Sequence, residues 1–107
     1  MTILADPIVH ALLDEFELAV SQLKASSANA SVSVAARLSV VKQLCELSRD
    51  VRFHLGPAKY ADPEQLEEVA AAFEKAVAVI RGIWPVATQE INDYCDNITE
   101  RAKRCRV

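Results

Sequence analysis

The chain has 107 residues, 51% of them hydrophobic and 25% charged, with a formal net charge of −3. That length fits one domain, and a domain of this size buries roughly two-thirds of its unfolded surface, so folding requires neither metal nor disulfide. The composition excludes a disordered chain, and two glycines, four prolines and 6% aromatics among abundant alanine, valine, leucine and glutamate favour helices over a sheet.

In chain order, Asp6-Pro7 opens the first helix, about 7–25: Asp6 suits the cap and Pro7 the first helical position. Ile8, Val9, Leu12, Leu13, Phe16, Ala19, Val20 and Leu23 then share one face. A polar loop of small residues, Ser26 to Ser31, precedes a second helix over about 32–55, which Gly56-Pro57 ends. The apolar arc of that helix is wide. Val34, Leu38, Val41 and Cys45 mark one edge and Val40, Leu44, Leu47 and Val51 the other, so it either touches two neighbours or offers a second surface to a partner.

Asp62-Pro63 opens a third helix, about 63–81 or 63–84, and Gln65 stands where a capping box needs it. Its stripe is Leu66, Val69, Ala70, Phe73, Ala76, Val77 and Ile80. Gly82 and Pro85 then predict a turn before a fourth helix, about 88–105. Trp84 is in phase with the third stripe, so the alternative is three helices with the last long and kinked at Pro85. The fourth stripe, Ile91, Tyr94, Cys95, Ile98, Ala102 and Cys105, is the weakest of the four. Residues 1–107 thus read as a single all-α domain, a four-helix up-and-down antiparallel bundle.

The net charge divides into −7 over residues 1–100 and +4 over Arg101 to Val107. An acidic body argues against nucleic acid as the main partner. No apolar run approaches the roughly 20 residues that span a bilayer, so no membrane is expected as a partner. The first residues lack the basic region and apolar length of a secretory leader. Cys45, Cys95 and Cys105 make an odd count without close spacing, which reads as reduced thiols in a cytoplasmic protein.

An up-and-down bundle brings His10, His54, Tyr60, Glu67, Glu68 and the basic tail to one pole. His10, His54, a glutamate and Cys105 are chemically suitable metal ligands, but the inward Glu-x-x-His pairs of bundle metal sites are missing. Size and an exposed histidine resemble histidine phosphotransfer domains in architecture alone. Their lysine and glycine after the histidine are absent here, where Ala11-Leu12-Leu13 follows His10 and Leu55-Gly56-Pro57 follows His54. No phosphate loop, Gly-x-Ser-x-Gly elbow or His-Glu-x-x-His is present, so no enzyme, metal or cofactor is expected.

The remaining signals are aromatic and basic. Phe53 projects among Lys42, Glu46 and Arg49 and either packs on Tyr60 over the 56–62 loop or stays exposed, and Leu18 likewise leaves its stripe. Trp84 either caps the core at the opposite pole or anchors a partner. Exposed aromatics and arginines are the usual interface anchors, so Phe53, Tyr60, Trp84 and Arg52 are the protein-binding candidates. Arg101, Lys103, Arg104 and Arg106 complement the dipole of the last helix or form an anion-binding tail. The expected function is a small non-enzymatic protein-binding module, of regulator, inhibitor or adaptor type, possible as a homodimer. The alternative is a bundle whose histidine pole binds metal or carries a phosphoryl group.

Overall fold

The computed structural model describes residues 5–106; Met1–Leu4, read above for a leader, and Val107, the end of the basic tail, lie outside them. Each helix opens on a side chain that accepts from the first-turn amides, which have no partner inside a helix. Asp6 accepts from the amides of Ile8 and Val9 at 2.8 and 3.4 Å, opening α1, Pro7–Ser27. Ser33 accepts from Ala36 and opens α2, Val34–Leu55. This helix starts two residues later than its apolar pattern implies, because a serine hydroxyl caps and a valine does not. Gly56 ends α2 at φ 64°, in the left-handed region where a Cβ is strained.

A single 3-10 turn, Ala58–Tyr60, leads to Asp62, which accepts from Gln65 N at 3.0 Å and opens α3, Pro63–Ile83. Thr88 caps α4, Gln89–Cys105. The turn between them is real, and no long helix kinked at Pro85 forms. A proline ring clashes with helical backbone in the residue before it. Trp84 accordingly leaves the helix at φ −118°, ψ 79°, while Gly82 stays inside α3.

The four helices pack as two antiparallel hairpins, α1 on α2 and α3 on α4. The hairpins join through α2 against α4 and α1 against α3, whereas α2 and α3, consecutive in the chain, touch little. The α1 and α3 N-termini are tied together at one pole by Asp6 and Gln65. Consequently α2 and α4 run parallel and end at that same pole. Phe16 and Phe73, 5.0 Å apart, join α1 to α3 in the core. The wide arc of α2 is that of a central helix: Val41, Leu44, Cys45, Leu47 and Val51 are buried, and only Val34 at its start is exposed. The α4 stripe, weakest by sequence, is buried at Ile91, Cys95, Ile98, Ala102 and Cys105. Among the described residues no helix is long and apolar enough to cross a membrane.

Gln65 departs from the capping box. Its backbone amide meets Asp62, but its side chain reaches across to α1: Asp6 N donates to Gln65 Oε1 and Gln65 Nε2 donates to Asp6 O, both at 3.0 Å. The side chain is buried. Gln65→Ala leaves the Asp6 amide without its acceptor at a partly wet site, while Asp6 O keeps the bond from His10 N, and should lower unfolding free energy by about 1–2 kcal/mol in urea denaturation. An unchanged midpoint would mean that water replaces both bonds.

Candidate functional site

Helix C-termini concentrate negative carbonyl charge and favour cations in their last turns. In the last turn of α2 these are Arg52 and His54, and in that of α4 Lys103 and Arg104, with Arg106 at the cap; Arg49 and Arg101 lie just before those turns. Each set is ordinary alone. The parallel course of α2 and α4 places them side by side, and a depression of about 380 Å³ lies between Arg49 and Arg52 on one helix and Arg101 and Arg104 on the other. Phe53 and the Gly56-Pro57 turn complete its lining.

Phe53 is 80% exposed. It follows buried Val51 by two residues, a rotation of roughly 200° that carries it off the core face. The ring does not fold over the loop onto Tyr60. Its aromatic neighbour is His54 of its own helix, edge-on at 5.6 Å. Tyr60 is 67% exposed in the 3-10 turn, with Lys59 Nζ 5.0 Å from its ring centre.

The arginines of this pole fall into two groups. Arg106 is saturated: its Nη1 donates to both oxygens of Glu67 at 2.7 and 2.6 Å, and its Nη2 donates to Glu74. These carboxylates push the Arg106 guanidinium above its usual range. On the other side of α4 the arginines are underpaired. Among the described residues Arg49 and Arg104 pair only with Asp50 and Glu100 of their own helices, each at 3.6 Å. Arg52 and Arg101 are half-buried, and among the described residues no carboxylate lies within 4.0 Å of either. Arg52 Nη1 donates to Gly56 O at 2.8 Å while its Nε is buried without a partner. Arg101 Nη1 donates to Cys45 O at 3.1 Å and to the hydroxyl of fully buried Ser48 at 3.0 Å.

The sequence-level tail is therefore not a loose cationic strip. Arg101 clamps α4 to α2, Arg106 is held by α3, and only Lys103 and Arg104 are exposed without a cross-helix partner. Trp84 sits at the other pole, half-buried against the core, and does not join Phe53. Val86 beside it is 92% exposed, a residue that the sequence reading passed over because it lies outside every stripe. A second depression at that pole, about 450 Å³, is lined by Lys24, Arg37 and the apolar wall of Val79 and Ile83. Its single guanidinium closes the α1–α2 loop by donating to Ser26 O and Asn29 O.

The histidine pole does not gather into a centre. His10 pairs, among the described residues, only with Asp14, 3.6 Å away on its own helix, His54 is exposed, and Cys105 is buried in the core. Among the described residues no group of three or more His, Cys, Asp or Glu is placed to hold a metal ion. The three cysteines are free and buried. Burial pushes the Cys95 and Cys105 thiols above the ordinary value of 9.0, partly offset by Arg81 and by Arg52 respectively. A raised folded-state value favours the neutral thiol. The stabilisation is complete below pH 9.0 and is lost as pH rises through the folded values. Thermal midpoints should fall in the alkaline range, and less steeply in a Cys95→Ala/Cys105→Ala variant; identical alkaline profiles would assign the fall to other groups.

Compared with known proteins, the chain matches no family model, no curated protein and no solved structure.

Proposed function

We propose that this protein is a non-enzymatic binding module that docks another protein in the groove between the C-terminal halves of α2 and α4. One observation carries the reading: an 80% exposed phenylalanine stands beside four arginines drawn from two helices. Aromatic and arginine side chains are the residues that most often dominate protein interfaces. Covering a ring such as Phe53 contributes roughly 1.5–3 kcal/mol, which the free protein leaves unrealised. Phe53 and Arg52 are the anchors of this reading, Arg101 and Arg104 join them, and Tyr60 borders the same pole. A cytoplasmic setting suits three buried cysteines held as thiols.

The test is site-specific photo-crosslinking in the source cell, with p-benzoylphenylalanine in place of Phe53 and, separately, of exposed Leu18 on α1. A discrete protein adduct from position 53 and none from position 18 is the expected result. An adduct of twice the chain mass would identify the partner as a second copy. Equal, diffuse labelling from both positions would remove the proposal.

A further inference from the structure

Resting on that binding reading, we infer that the partner presents an acidic segment, whose carboxylates pair with the arginines of the groove while a neighbouring apolar side chain covers Phe53. The pole supplies its own comparison. On one side of α4, α3 delivers Glu67 and Glu74 to Arg106, which is thereby doubly paired. On the other side, among the described residues, no neighbouring helix delivers an acid, and Arg52 and Arg101 remain half-buried with no carboxylate within 4.0 Å. Partly buried guanidinium without a counter-charge is unfavourable, and a bidentate carboxylate is its best complement. The partner in this groove does for Arg52 and Arg101 what Glu67 does for Arg106.

Charge also favours a short protein segment over a phosphate polymer. Asp50 and Glu100 flank the arginines and residues 1–100 carry −7, so a strand running beyond the groove meets repulsion. The depression at the other pole has cations in Lys24 and Arg37, but Arg37 is taken up by Ser26 O and Asn29 O and no aromatic ring lines it, so it lacks the apolar half of this complementarity.

The experiment is fluorescence anisotropy of the full chain with a short labelled peptide of alternating glutamate and leucine, and with its glutamine counterpart. Single-stranded RNA and phosphatidylglycerol vesicles serve as competitors. The glutamate peptide is expected to bind about tenfold more tightly than the glutamine peptide, an advantage that added salt erodes. Arg49→Gln/Arg104→Gln, at two exposed positions, should weaken binding of the glutamate peptide about tenfold with no change in melting temperature. Phe53→Ala should weaken both peptides and leave the preference for glutamate. Equal affinity for the two peptides, or indifference to the arginine variant, overturns the acidic segment. So does displacement of the peptide by RNA or vesicles at lower concentration, which would make the groove a phosphate site. Failure of the glutamate peptide alongside a discrete adduct at position 53 overturns the acidic chemistry and leaves protein binding standing; failure of both ends both.

Discussion

Phe73→Ala is expected to cost the fold about 3–5 kcal/mol, the usual loss when a buried phenylalanine is cut to alanine. Phe73 is fully buried, and its ring, tilted 55° to that of Phe16, is the large contact between α1 and α3. Buried Ala70, Ala72 and Ala76 flank it on α3 and have no side-chain atoms to swing into a cavity. A midpoint shift on the order of 15 °C or more follows for a domain of this size. Leu18→Ala, at an exposed α1 position, should stay within about 0.5 kcal/mol. Calorimetry on the two variants decides the matter: equal midpoints would mean that α1 and α3 do not meet through this ring.

Arg101→Ala should lower stability by about 2–3 kcal/mol, because a charged donor leaves two acceptors and each such bond is worth more than a neutral one. One acceptor belongs to Ser48, a fully buried hydroxyl that itself donates to Cys45 O at 2.7 Å. Lysine at 101 should recover only part of the loss: both acceptors meet the single atom Nη1, and a compact, strongly hydrated ammonium on a different stem is harder to hold at that half-buried point. Arg104→Ala, exposed on the same helix, should change stability by about 0.5 kcal/mol or less. Urea denaturation of the three variants checks the ranking, and equal losses at 101 and 104 would return Arg101 to an ordinary surface cation. Truncation after Glu100 is for the same reason no clean test of ligand binding: it also removes buried Ala102 and Cys105.

The proposed groove was half legible beforehand. Phe53 announced itself by its phase, two residues from a core valine, and Arg52, Arg101 and Arg104 by their residue type. Nothing in the spacing of residues 49–53 and 101–104 indicates that they share a surface. That depends on α2 and α4 being neighbours, although they are not consecutive in the chain. Trp84 and Phe53 both looked like anchors, yet only Phe53 is largely exposed, because the turn forced by Pro85 lays the indole against the core.

What the sequence by itself determined is local. Asp6-Pro7, Asp62-Pro63 and Thr88 open helices, Gly56 and Pro85 stop them, and the apolar stripes choose their inner faces. Caps and prolines act within about four residues, inside the reach of a pattern read along the chain. Tertiary structure decided which polar side chain answers which. Gln65 reaches back 59 residues to Asp6 instead of closing its own capping box, Arg101 bonds Cys45 across 56, and Arg106 finds Glu67 across 39. Those pairings depend on the order of helices around the core. That order follows from how two hairpins pack against each other, which helical periodicity cannot express because it repeats every turn and names no neighbour.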